Sequence, residues 1–155
     1  MPRLKPVSRA EAREDIRARY DDIFGKDRDP VAQPGTATGT PGNWWTVWAN
    51  TPGILEAFSA YPMAEAPLDP RLRELAIMRT GFARGSQFVF SQHCKAARRA
   101  GTPEEKIAAV PYWTIAEVFT PTERAVLAFV DGMILEGGRV HDRVIEALKA
   151  ALPDD

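Results

Sequence analysis

Apolar positions along the chain recur at three- and four-residue spacing between capping and breaking residues, the pattern of helices packed on one face. Ser8-Arg9-Ala10-Glu11 has the form of a capping box, and Ile16, Tyr20 and Ile23 then make one stripe that ends at Phe24-Gly25. Asn43 is placed to cap a short helix carrying Trp44, Trp45 and Trp48. Thr51-Pro52 opens the next, with Ile54, Leu55 and Phe58, before Pro62 and Pro67 break the chain. Asp69-Pro70 repeats the cap-and-proline start and predicts a long helix through Leu72, Leu75, Ala76, Met78 and Arg79 to Gly81. Gly85 separates it from a second long helix, Gln87 to Ala100, closed by Gly101. Thr102-Pro103-Glu104-Glu105 and Thr120-Pro121-Thr122-Glu123 are two further starts, and the second leads Val126, Leu127, Phe129, Val130 and Ile134 to a stop at Gly137-Gly138. A last helix over 140–152 carries Val144, Ile145 and Leu148. No stretch alternates with period two for long enough to make a strand, so the fold is expected to be all-α.

Residues 26–42 interrupt this pattern. Charged residues, Pro30, Pro34 and the Gly35-to-Gly42 tract give no period, which predicts a flexible loop long enough to act as a lid. It is too short to separate two domains, and 155 residues with 45% apolar content suit a single domain over 1–155. Lys+Arg 20 against Asp+Glu 21 leaves a net charge of −1, so no nucleic acid or anionic membrane is expected as a partner. No run approaches the roughly 18 apolar residues that span a bilayer. Met1-Pro2-Arg3-Leu4-Lys5-Pro6 has no apolar block after its basic residues, and with a single cysteine the expected address is cytoplasmic.

Two histidines and one cysteine leave few ways to do chemistry. His93 and Cys94 are adjacent in a helix, so their side chains diverge by roughly 100° and do not face one ion. His141 lies in another helix, and no metal or other cofactor is expected. Ser86, Val89 and His93 are spaced i, i+3, i+7 and share a helix face. The short turn at Gly85 makes this helix a neighbour of the one carrying Glu74, so the two residues can meet. A carboxylate bonded to an imidazole fixes its tautomer, which general acid/base work needs.

The frame Arg73-Glu74-Leu75-Ala76-Ile77-Met78-Arg79, the His93 helix, and Ala97-Arg98-Arg99-Ala100-Gly101-Thr102-Pro103-Glu104-Glu105-Lys106-Ile107 resemble the carboxymuconolactone decarboxylase family, which includes the AhpD-type alkylhydroperoxidases. Phe119 to Ala125 resembles the family more loosely. The resemblance implies a helical bundle of about six to eight helices. In the peroxidase branch the helix reads Cys-x-x-Cys-x-x-x-His with an upstream glutamate that feeds protons to the pair. Those positions fall on Ser86, Val89, His93 and Glu74. This chain keeps the proton-relay pair and lacks the redox pair, because Cys94 is one position off the frame. The resemblance therefore implies lyase-type, decarboxylase-like acid/base chemistry on a small organic acid or lactone, with Glu74 and His93 as the catalytic pair. The alternatives are a peroxidase-related antioxidant protein using Cys94, and a non-catalytic small-molecule-binding oligomer.

Each singled-out residue also has a plainer structural reading. Glu74 and His93 suit a buried pair that anchors two helices, and Ser86 suits an N-cap. Cys94 suits a small packing residue. Trp44 and Trp48 read either as packing or as an aromatic wall of a ligand pocket. Arg79 and Arg84 read either as a clamp on a carboxylate substrate or as solvated surface. Three tryptophans within five residues, and Phe88 and Phe90 on two helix faces, predict a homo-oligomer: a dimer, a trimer or a hexamer. Light scattering at micromolar concentration should give a mass well above the 17.2 kDa of one chain.

Overall fold

The computed structural model describes residues 3–34, 43–51, 53–60 and 68–152. Eight α-helices form there: α1 (Glu14–Phe24), α2 (Asn43–Trp48), α3 (Ile54–Ser59), α4 (Pro70–Ala83), α5 (Gln87–Arg99), α6 (Glu104–Ala109), α7 (Pro121–Ile134) and α8 (Asp142–Ala151). A 3-10 turn at Val110–Tyr112 follows α6, and the described residues contain no strand. The fold is all-α. No helix among these residues is long and apolar enough to cross a membrane. Contacts along the chain divide it into two compact units, Met1–Ala66 and Pro67–Asp155.

In the first unit Ala12, Ile16 and Tyr20 are buried, four residues apart, and Phe24, Trp44, Trp45 and Ala49 pack against them. Tyr20 Oη donates to the Val7 carbonyl at 2.9 Å, and Val7 N–H donates to the Thr46 carbonyl at 2.8 Å, which ties the N-terminal segment to both helices. The capping box predicted at Ser8 does form, with Glu11 N–H donating to Ser8 Oγ at 3.4 Å and Ser8 N–H to Glu11 Oε2 at 3.5 Å. It closes only an isolated turn: Arg13 is extended at ψ 164°, and α1 starts at Glu14. Ile23, expected in the buried stripe, is exposed. The buried row follows the i+4 ridge, which drifts around the helix and brings Phe24 edge-on to Tyr20 instead. Helix α2 already includes Asn43. Within the expected loop, residues 26–34 form turns; residues 35–42, Pro52, Pro62, Pro67 and the side chains of Leu55 and Phe58 lie outside the described residues.

The second unit is built around α4. Asp69 Oδ1 accepts from Arg71 N–H at 2.8 Å and Pro70 occupies the first helical position, so the predicted start holds. Rather than one apolar stripe, α4 buries Glu74, Leu75, Met78, Arg79 and Gly81, because α5, α7 and the 3-10 turn all pack on it. Leu75 and Met78 join Cys94 and Ala97 of α5, Ile107 of α6 and Leu127 of α7 in the main core. Helix α7 begins with a complete capping box, Thr120 N–H donating to Glu123 Oε2 at 2.7 Å and Glu123 N–H to Thr120 Oγ1 at 3.3 Å. The parallel signal at Thr102 behaves differently. Pro103 is the N-cap residue of α6, and Thr102 is buried with its hydroxyl unpartnered. At α8 the cap is His141, whose Nδ1 accepts from Arg143 N–H at 3.2 Å.

Gly81 does not end α4 as its sequence position suggests; the helix runs on to Ala83. A Cβ at Gly81 would lie 2.8 Å from the Phe90 amide nitrogen and 3.0 Å from Val89 Cγ1, so the glycine lets α5 approach α4 closely. The reversal falls four residues on, at Gly85, whose φ of 66° is left-handed. Gly81→Ala should therefore force the helices apart and lower stability by about 1–3 kcal/mol, measured by chemical denaturation. A wild-type midpoint would mean that α5 yields freely.

Candidate active site: a buried glutamate and a partly exposed histidine

Two turns back from Gly81 on α4, and one turn on from Val89 along α5, Glu74 and His93 meet. Glu74 Oε2 lies 2.7 Å from His93 Nδ1. The Glu74 side chain is 6% exposed and that of His93 29%, so the carboxylate is inside and the imidazole reaches the surface. Arg73 Nε donates to the other carboxylate oxygen, Oε1, at 3.2 Å. Burial by itself pushes the Glu74 carboxyl up. The hydrogen bond and charge of His93, and then those of Arg73, outweigh it and hold the carboxyl below its usual range. Glu74 is thus an ionised acceptor at neutral pH. An acceptor-only carboxylate makes Nδ1 the donor, which leaves Nε2 as the imidazole's working nitrogen.

The remaining candidates have their own engagements. Ser86 is the N-cap of α5, its hydroxyl accepting from Val89 N–H at 3.4 Å. Val89 packs toward Gly81. Cys94 is buried in the main core, and burial pushes its thiol up, which disfavours thiolate. Arg79 is neither solvated surface nor open to a ligand carboxylate: Nε and a terminal nitrogen donate to Asp131 of α7 at 2.6 and 3.0 Å. Trp113 Nε1 donates to the same carboxylate at 2.9 Å. Asp131 was not legible as this partner, since 52 residues separate the pair. Trp44 and Trp48 stand together in the first unit with ring centroids 5.8 Å apart, Trp48 partly exposed.

A shallow cavity of about 290 Å³ opens at the α4–α5 turn, lined by Gly81, Phe82, Gly85, Ser86, Gln87 and Phe90. Its lining is largely apolar and includes neither Glu74 nor His93; Gln87 and Phe90 belong to α5, and Ser86 is its cap. Among the described residues no group of three His, Cys, Asp or Glu is placed to hold a metal ion. The chemistry on offer is proton transfer at Nε2.

The pair also contributes to stability in a pH-dependent way. A carboxyl held below its unfolded value adds stability above that value, 4.5, and the contribution disappears as pH falls through the folded value. Glu74→Gln should cost about 1–3 kcal/mol at pH 7, and the difference from wild type should shrink as pH drops below 4.5. Denaturant titrations at several pH values check this; a difference that stays constant with pH would mean that the charge does not matter.

The sequence pattern of the carboxymuconolactone decarboxylase family matches residues 52–132, which includes α4, α5, Glu74 and His93. No curated protein matches the chain. Among solved structures, the chain is similar to a protein of unknown function from Agrobacterium tumefaciens, described as a candidate antioxidant defence protein AhpD. The two superpose with a TM-score of 0.64 at 26% identity, over 69% of this chain and 75% of that one. With the family pattern covering more than half of its length, the chain belongs to the carboxymuconolactone decarboxylase family.

Proposed function

We propose that this protein is a cofactor-free acid/base enzyme of the lyase type, acting on a small organic acid or lactone, with His93 as proton carrier and Glu74 as its orienting carboxylate. The observation that carries the reading is the 2.7 Å bond between a buried, ionised Glu74 and the Nδ1 edge of a partly exposed His93. In a decarboxylation the bond between the substrate carbon and its carboxylate breaks and carbon dioxide leaves with neither electron of that bond. The pair remains on carbon, delocalised as an enolate, and a proton from His93 Nε2 quenches it before the imidazole is reprotonated from solvent. Glu74 accepts from Nδ1–H and so fixes the tautomer in which Nε2 carries out the transfer. The enzyme works in the cytoplasm as a homo-oligomer on this reading.

The AhpD description of the Agrobacterium tumefaciens protein raises the redox alternative. A dithiol cycle needs a peroxidatic and a resolving thiol within disulfide reach, and this chain has one cysteine. Ser86 and Val89 occupy the positions that the resemblance gives to the two thiols, and a serine forms no sulfenic acid.

Carboxymuconolactone is the first substrate to try, with loss of its ultraviolet absorbance and release of carbon dioxide as readouts. Wild type should turn over, and His93→Ala should lose about 100- to 10,000-fold in kcat. Hydroperoxide turnover with a dithiol reductant that vanishes in Cys94→Ser would replace this reading with a one-cysteine redox one.

A further inference from the structure

We infer that Arg73 is the positioning residue of the site, forming with Glu74 and His93 a guanidinium–carboxylate–imidazole chain in which Arg73 sets the Glu74 carboxylate for His93. The inference rests on the acid/base reading above for its catalytic consequence, and on geometry for the chain itself. Each carboxylate oxygen of Glu74 has its own partner: Oε1 accepts from Arg73 Nε at 3.2 Å and Oε2 bonds His93 Nδ1 at 2.7 Å. Helix geometry does not impose the first contact. Neighbours in a helix point roughly 100° apart, and the pairs that helical spacing favours are three and four apart. The Arg73 side chain has to fold back along α4 to reach Oε1. Once there it fixes the plane of the carboxylate, because a carboxylate held at both oxygens does not rotate about its last torsion.

Burial makes this contact count. The Glu74 side chain is 6% exposed and that of Arg73 27%, so the guanidinium covers the carboxylate on its way to the surface. An ionised carboxylate in such a place needs compensating charge, and Arg73 supplies it permanently, whereas an imidazole supplies it only when protonated. Among the described residues, the charged groups facing Glu74 are Arg73 from α4 and His93 from α5. From α7, Asp131 turns to Arg79 and Trp113, and Glu123 turns to Lys106. Through the catalytic cycle Arg73 keeps Glu74 ionised as His93 gains and loses its proton. Outer partners that orient a ligating or catalytic imidazole act in the same way elsewhere.

The test uses the full-length chain labelled with ¹³C and ¹⁵N, as wild type, Arg73→Met and Arg73→Lys. Carboxyl carbon shifts follow Glu74 across pH, and ring nitrogen shifts report which His93 nitrogen carries the proton. In Arg73→Met the Glu74 midpoint should move up and the Nδ1–H form of His93 should lose population. Arg73→Lys restores the charge and should return the midpoint toward wild type. With a turned-over substrate, Arg73→Met should lower kcat by about 10- to 100-fold with KM nearly unchanged. Unaltered Glu74 and His93 signals in Arg73→Met would overturn the inference. So would a KM effect with intact kcat, which would make Arg73 a substrate anchor instead. A wild-type protein that is inert on every lactone, while Glu74 still shifts in Arg73→Met, defeats the acid/base reading and upholds the positioning role.

Discussion

The close approach of α4 and α5 at Gly81 is the contact on which the candidate site depends. With the Phe90 amide only 2.8 Å from where a Cβ would be, the two helices approach more closely than a side chain on α4 would permit. The short connection through Arg84, Gly85 and Ser86 starts α5 immediately, and its Ser86 cap fixes the first turn. From that fixed point the helices carry Glu74 and His93 to hydrogen-bonding distance without either residue lying in a loop. A pair built on two rigid helices keeps its geometry better than one built on mobile connections.

Burying charge on the central helix is the second constraint. Glu74 and Arg79 are both buried on α4. Isolated, either would be costly, and each is paired: Glu74 by Arg73 and His93, Arg79 by Asp131 with Trp113 as an added donor. The two pairs differ in what they leave open. Around Arg79 the partners close a ring, with backbone carbonyls of Val110 and Pro111 within reach of the same guanidinium. That arrangement holds α4, α7 and the 3-10 turn together. At Glu74 the chain of bonds ends on an imidazole that meets the surface, so a proton has a way in and out.

The chemistry follows as much from substitution as from arrangement. The Agrobacterium tumefaciens protein shows that the fold accompanies an AhpD description, but a fold hosts many chemistries and the site has to decide. Here the helix start carries a capping serine and a packing valine, and the one thiol lies in the core with burial holding it protonated. Of the residues that the resemblance places in a proton relay, Glu74 and His93 are present and bonded to each other.

Local signals were sufficient where a helix end satisfies itself. Asp69-Pro70, Ser86 and Thr120-Pro121-Thr122-Glu123 cap the helices they were expected to cap, because the donors and acceptors involved lie within four residues. The short turn at Gly85 likewise indicated that Glu74 and His93 can meet, and they do. The same kind of signal misled at Ser8, where a capping box closes a turn that Arg13 then breaks. At Thr102 a buried hydroxyl is left without its cap partner. The Arg79–Asp131 pair, the role of Gly81 and the fold-back of Arg73 onto Glu74 had no sequence signal, because each depends on which surfaces face one another after packing. The sequence by itself determined the helices and the residues available for proton transfer; the tertiary structure alone decided which charges are buried and paired, since burial is a property of neighbours that local spacing does not specify.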